Sequence, residues 1–382
     1  MSSRVPIELL PIDEEGRSRL SKPNLYGSQS LLMTDSNVSH PQPEYIPENL
    51  DTDHAQKFAG IGLEIASTVI GSLISHPCIV LRRQCQVNRK ADRYHLSPFS
   101  LVPVVIRLQS RQGLKCLWKG CSGIFILRGC SVALETFIAE LTPFPREVSS
   151  NNSLKQLAQH LLLKLIAYGL LTPFYCASLV ETVQSDIASE KPGVLDCIKE
   201  GFCRLFRVGT PHSTRLLPMW QLVGPTALYG VSFYVLSSLV RSVFQWFHSM
   251  KLLNQHKQNY QANQSPAVNY LDNLSTIHFG SLVASVLLYP GETLLHRLYL
   301  QGTRTIIDNL DSGTSVLPVI TKYEGVVDCF HTIVAEEGAA GLYKGFGALL
   351  LEYAFQALIL KIARITLNEI ELLFRASAGK KT

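Results

Sequence analysis

The sequence predicts an all-α membrane protein: six transmembrane helices in three pseudo-repeats of roughly 100 residues, behind a polar N-terminal tail. Three observations predict it. Leu216–Val240 is an uncharged run of 25 residues, enough to cross hydrocarbon at about 1.5 Å per residue. Leu274–Gly291 is a second uncharged run, and Phe58–Leu81 carries only Glu64. Finally, a span with a late proline recurs at Pro77, Pro173 and Pro290. Each time it is followed by a short helix, a glycine, an aromatic residue next to a base, and another span.

Composition narrows the function classes. The apolar fraction of 46% is within reach of a soluble domain, so its clustering, with charge pushed into the connections, carries the membrane reading. A net charge of +5 with no basic face interleaved with aromatics argues against nucleic acid. Nine scattered cysteines without a CxxC pair or His/Cys ligand spacing read as reduced thiols, with no disulfide framework and no metal site. No Ser/His/Asp order, phosphate loop or paired carboxylates mark a catalytic site, so no enzyme is expected.

In chain order, residues 1–56 are rich in Ser, Pro and polar residues. They cannot bury enough apolar surface to offset the entropy of ordering and are expected to be disordered. They carry Glu8, Asp13, Glu14 and Glu15 and no long apolar run, unlike a secretory signal or an Arg-rich presequence. Residues 57–150 form repeat 1: a span over Phe58–Cys85 kinked by Pro77, a basic connection with a helix near Leu101–Leu108, and a span over Gly120–Leu141. Residues 151–250 form repeat 2, with spans Leu154–Val183 and Leu216–Trp246 and a helix over Val194–Phe206. A polar insert occupies residues 251–270 and a loop is expected over Met250–Asn269. Residues 271–375 form repeat 3, with a span over Leu271–Leu300, a long connection, a helix over Tyr323–Glu336 and a span over Gly345–Phe374. Residues 376–382 are a C-terminal tail.

The copies align at fixed offsets. Pro77, Pro173 and Pro290 are separated by 96 and 117 residues, and Gly113, Gly201 and Gly338 each precede Trp118, Phe206 and Tyr343 by five. The third copy is the fullest: Pro290, Glu292 and Arg297, then Glu337-Gly338 and Tyr343-Lys344-Gly345. The second aligns Glu200-Gly201 and Phe206-Arg207, and the first aligns Gly113 and Trp118-Lys119-Gly120. Proline, acid and base followed by acid-glycine and aromatic-base-glycine, three times over, resembles the mitochondrial carrier (solute carrier 25) family. The resemblance covers Phe58 to about Phe374. HRLYLQGTRTIIDN, VLPVITKYEG and EEGAAGLYKGFGALL are similar to a divergent outer-membrane branch of that family, the member 46 branch. The resemblance implies a pseudo-threefold barrel and three short helices at one membrane face. It also implies residence in the mitochondrial outer membrane with a cytosolic tail. The expected partners are the fusion, fission and cristae-organising machinery, with no known solute. It further implies a bound phospholipid such as cardiolipin at the backbone amides beside aromatic-base-glycine. A turn device with an interfacial tyrosine and a snorkelling Lys344 is the alternative there.

In transporting members, the acid and base after each proline pair between helices and close a central cavity. Here copy one keeps Arg82 but has Ile79 at the acid position and Gln84 at the second base position. Copy two has Tyr175 and Ser178 at the gate positions. Copy three keeps Glu292 and Arg297. By the family's cyclic pairing, Glu292 can reach Arg82. The depleted gate favours a scaffold over a pump, with a degenerate transporter of an unknown solute as the alternative. Arg128 and Arg215 are candidate cavity charges for an anion, or else partners of Glu64, Glu135 or Glu181. His76, His160 and His296 stand alone and read as polar helix contacts.

Overall fold

A computed structural model describes residues 50–146, 153–186, 193, 195–206, 215–254, 266–312 and 315–378. All of them lie in the unit Asn49–Thr382. The fold is mostly helical: α1 (Leu50–Val87), α2 (Val102–Gln112), α3 (Cys121–Leu141), α4 (Leu154–Val183), α5 (Asp196–Phe206), α6 (Met219–Asn254), α7 (Pro266–Leu287), α8 (Tyr289–Leu300), α9 (Val326–Glu337) and α10 (Phe346–Ala378). Strands β1 (Ile306–Asp308) and β2 (Val316–Pro318) form a small antiparallel pair.

The long helices stand side by side in the order α3, α4, α6, α7, α10, α1. Among the described residues α1 and α3 do not pack along their lengths. Side chains join them instead: Arg128 Nη1 donates to Ser72 Oγ at 2.8 Å, and Trp118 Nε1 donates to the Leu73 carbonyl at 2.9 Å. Ile65, Val69, Ile70, Leu73 and Ile74 of α1 are exposed, an apolar stripe at helical spacing that suits lipid. The main buried cluster lies at the other extreme of the spans, where Leu179 and Val183 of α4 meet Leu294, Leu298 and Leu300 of α8 and Cys329 and Ile333 of α9.

Among the described residues four helical stretches are long and apolar enough to cross a membrane: Ile65–Val87, Leu154–Val183, Met219–Phe247 and Ala339–Glu369. A fifth arises if Leu271–Leu287 and Tyr289–Leu300 count as one span bent by 70°. The expected six is therefore not reached by length and composition. The remaining helix, α3, carries Arg128, Glu135 and Glu140 within its 21 residues, which lowers its apolar weight. The three prolines also differ. Pro77 and Pro173 lie inside helices that continue through them, whereas Pro290 opens α8 after the break. Pro290 sits in the first turn of α8, where its missing N–H costs nothing, whereas Pro225, though next to Gly224, lies inside the continuous α6.

Other boundaries shift. Residues 50–56, assigned to the tail, are the first turns of α1, since extending an existing helix is cheap once its nucleus has formed. The tail over residues 1–49 lies outside the described residues. The expected loop Met250–Asn269 is helical at both ends, to Asn254 and from Pro266, with residues 255–265 outside the described set. Helix α10 runs to Ala378, past the expected end at Phe374. The connection after α8 holds the unforeseen strand pair, with Ile307 opposite Leu317. On its other edge β1 meets the end of α4, through a Gln184–Ile307 bridge and Ser185 N–H donating to the Ile306 carbonyl at 2.8 Å.

Candidate functional site

The helix ends nearest the strand pair carry three buried ion networks. The first is centred on Arg82, five residues after Pro77 on the inward face of α1. Its guanidinium lies 3.3 Å from Glu292 of α8 and 3.0 Å from Glu352 of α10. Glu292 occupies the first turn of α8, where the helix dipole favours an acid. Gln86 Nε2 donates to the other Glu292 oxygen at 3.3 Å, while Gln86 Oε1 meets His296 Nδ1 at 2.6 Å. One cation thus holds acids from two helices, and removing it breaks both ion pairs. Glu352 lies within the last expected span, where lipid would reject a bare acid; its partner was not foreseen.

The second network gathers the third copy's remaining motif charges. Arg297 forks onto Glu337, with Nη2 2.8 Å from Oε2, and its Nε donates to the Gln86 carbonyl at 3.0 Å. Lys344 Nζ lies 2.6 Å from Glu337 and donates to the Asn88 and Arg89 carbonyls at 3.0 and 3.2 Å. Lys344 is 0% exposed, so it does not snorkel: the end of α1 covers it and supplies its acceptors. Tyr343 stacks on Tyr289 at 5.8 Å. Burial raises the Glu337 pKa, but the Arg297 hydrogen bonds and charge, with Lys344, outweigh it and hold the carboxyl below the usual range. Gly345 follows at φ 80°, and a Cβ there would lie 2.8 Å from Cys85 Cβ; only glycine fits this turn against α1.

In the third network Lys119 Nζ lies 2.8 Å from Asp308 of β1 and donates to the Gln184 carbonyl at 3.1 Å. Gln112 Nε2 and Ser185 Oγ donate to the other Asp308 oxygen at 3.0 and 2.5 Å. Lys119 and Asp308 side chains are both 4% exposed. Copy one has glutamine where copy three has Glu337, and the strand pair brings in the missing acid. One carboxylate from the third copy thereby binds side chains from the first and second.

The profile of the mitochondrial carrier protein family matches residues 267–365, the stretch in which both motifs are complete. The mitochondrial outer membrane protein SLC25A46 of Gallus gallus is 47% identical over 316 residues, covering 82% of this chain and 77% of its own. The human protein of that name is 46% identical over 315 residues, covering 82% and 75%. Solute carrier family 25 member 46-B of Xenopus laevis is 44% identical over 361 residues, covering 92% and 87%. This chain belongs to the member 46 branch of solute carrier family 25.

For a member of that branch, the second copy is where the carrier pattern is weakest. Tyr175 and Ser178 stand where gate charges belong, and Arg83 of α1 reaches across instead, its Nη1 3.1 Å from Thr182 Oγ1 and 3.4 Å from Ser178 Oγ. Gly201 does not cap its helix as Gly113 and Gly338 do at φ 78° and 72°. It lies inside α5, where a Cβ would press on the Phe174 ring at 2.5 Å. Gly201 thus has the spacing of the two caps but serves close packing. Glu200 and Phe206 are exposed and Arg207 lies outside the described residues. The buried base is Arg204, whose Nη2 donates to the Tyr299 carbonyl at 2.7 Å. It shares the buried face of α5 with Cys197 and Gly201, while Leu195, Phe202, Leu205 and Phe206 are exposed, so apolar periodicity gave no signal for it.

The single charges and histidines also resolve. Arg128 binds Ser72, and Glu135 pairs with Lys164 at 2.7 Å, so neither Arg128–Glu135 nor an Arg128–Glu181 ion pair forms. The Glu64 side chain lies outside the described residues. Arg215 is exposed and its carbonyl accepts from Gln301 Nε2 at 2.9 Å. His76 meets the Lys119 carbonyl at 2.8 Å, and His160 bridges the Pro145 carbonyl and Tyr234 OH, both at 2.9 Å.

The helix starts that follow aromatic-lysine-glycine differ in access. At α10, Gly345 and Gly347 N–H donate to the Tyr94 and His95 carbonyls at 2.8 and 3.1 Å, so the protein itself takes these amides. At α3 a pocket of about 980 Å³ opens between Arg111, Lys115, Trp118, Lys119 and Ser122. The α3 start thus has Arg111 and Lys115 on a pocket wall, whereas the α10 start is closed by the chain before it.

Proposed function

We propose that this chain is a carrier-fold anchor of the mitochondrial outer membrane that acts in fusion–fission balance, cristae maintenance and lipid homeostasis, and does not exchange solute. On this reading it spans six times, counting α3 and the bent α7–α8 pair, with both termini in the cytosol. The tail and the insert recruit the fusion, fission and cristae-organising machinery. The relatives' names support the membrane assignment.

The observation that carries the reading is the Asp308 clasp. Alternating access requires the closed end to part along all three copies, yet Asp308 joins copy one through Lys119 and Gln112 and copy two through Ser185. Parting that end would break one buried, hydrogen-bonded ion cluster that ties all three copies at a single carboxylate. Two gate charges of copy two are missing, so no symmetric latch remains to be reset. The lipid role draws on the pocket at α3, where Arg111 and Lys115 stand beside a helix start that suits a phospholipid such as cardiolipin.

Two measurements test this. Protease added to intact mitochondria should remove the N-terminal tail without rupture of the outer membrane; protection of the tail contradicts the topology. Saturable exchange of a metabolite by the reconstituted chain contradicts the anchor.

A further inference from the structure

Helices α7 and α10 are held together by a ladder of polar pairs. Ser285 Oγ meets Tyr353 OH at 2.8 Å, His278 hydrogen-bonds Gln356, and Asp272 pairs with Arg364. Between the upper rungs lies a cavity of about 330 Å³, walled by Leu271, Phe279, Leu282 and Leu360, with Ser275 and Lys361 at its polar edge. The Phe279 ring is fixed by Phe244 of α6 at 5.2 Å. Lys361 is exposed and has no ion pair or hydrogen bond among the described residues. It sits nine residues beyond Glu352 on α10, about 14 Å along the axis, away from the three networks. Ala357, Lys361 and Arg364 line the same cavity, as their spacing of four and three residues on one helix face requires.

A lone ammonium group on an apolar wall between two membrane helices calls for an anion that also brings hydrocarbon. Asp272 is taken by Arg364, so the cavity's charged edge keeps one uncompensated positive charge. We infer that this cavity binds an anionic glycerophospholipid, with its phosphate on Lys361 and one acyl chain along Phe279, Leu282 and Leu360; the Ser275 hydroxyl donates to the Leu271 carbonyl at 2.9 Å and is not needed for it. This rests on the membrane-spanning reading above. The site is separate from the pocket at α3 and lies on the opposite half of the helices.

The test uses the full chain in nanodiscs with photoactivatable phosphatidic acid or phosphatidylcholine carrying the reactive group on one acyl chain, read by peptide mapping. The phosphatidic acid probe should label peptides from α7 and α10. Lys361→Gln should cut that labelling about fivefold, the weight of one lysine on an anionic headgroup, while Lys361→Arg preserves it. Equal thermal melting of the variants shows that folding is intact. Water-soluble glycerol phosphate should not compete. Equal labelling by both probes, no effect of Lys361→Gln, or full competition by glycerol phosphate overturns the lipid site. Absence of labelling even on the Ile65–Ile74 face of α1 instead overturns the membrane-spanning reading.

Discussion

Removing Arg82 and removing Glu292 are predicted to differ, because the pairing is not one to one. In the native chain Arg82 lies 3.3 Å from Glu292 and 3.0 Å from Glu352. All three side chains are 14% exposed or less. Arg82→Ala breaks the ion pairs of two buried carboxylates at once and should cost about 3–5 kcal/mol. Glu292→Ala leaves Arg82 still paired with Glu352 and should cost about 1–3 kcal/mol. The double variant should fall short of the sum by about 0.5–3 kcal/mol, the range for residues in one network. Thermal unfolding in nanodiscs, followed by a thiol dye that reacts when buried Cys78 and Cys85 are exposed, reads these differences. A second arm replaces Arg82, Glu292 and Glu352 together by Met, Leu and Leu. Apolar replacement of a whole buried ion cluster is often neutral or stabilising, so this variant should melt above Arg82→Ala. Equal, additive losses for Arg82→Ala and Glu292→Ala would show that the two do not share a network and refute the reasoning.

Three further outcomes follow from the same geometry. Glu337 is held below its ordinary 4.5, so its stabilisation is complete at neutral pH and is lost as pH falls through the depressed value; Glu337→Gln should flatten the acid limb of a melting-temperature profile, and parallel profiles contradict it. Asp308→Ala should leave Lys119 with only the longer Asp186 contact at 3.8 Å and the Gln184 carbonyl, cost about 1–3 kcal/mol and speed amide exchange in both strands; unchanged exchange at Ile307 argues against the clasp. Gly345→Ala should destabilise more than Gly113→Ala, because both have positive φ but only the first places a Cβ against α1; Gly113→Ala should cost about 1 kcal/mol, and equal losses contradict this.

Helices were legible because their signals are local. The α4 boundaries, Leu154–Val183, follow from an apolar run bounded by the Ser153 cap and the polar Gln184. Arg82 reaching Glu292 was legible only through the family resemblance, whose cyclic pairing no single stretch contains. The strand pair was not. Ile306-Ile307 and Val316-Leu317 flank Asp311-Ser312-Gly313, a turn signal, but each run is too short to stand out beside 30-residue helices. Its importance is also non-local: Asp308 matters because Lys119 lies 189 positions away. The second copy misled for the opposite reason. Gly201 has the spacing of a cap, yet α5 runs on because Phe174 needs the space a side chain would fill. Lys344 likewise reads as interfacial beside Tyr343 until the carbonyls of Asn88 and Arg89 are brought over it.

The most direct test of a permanently locked end is a distance measurement between the three copies. Spin labels go on exposed Leu114, Leu195 and Val327, with the partly exposed native thiols Cys121, Cys130 and Cys203 replaced by serine. Pulsed dipolar spectroscopy in nanodiscs should return one narrow distribution for each pair, unchanged by added metabolites or lipid. A second, longer population in any pair would mean that the end opens and that the ion networks are a working gate.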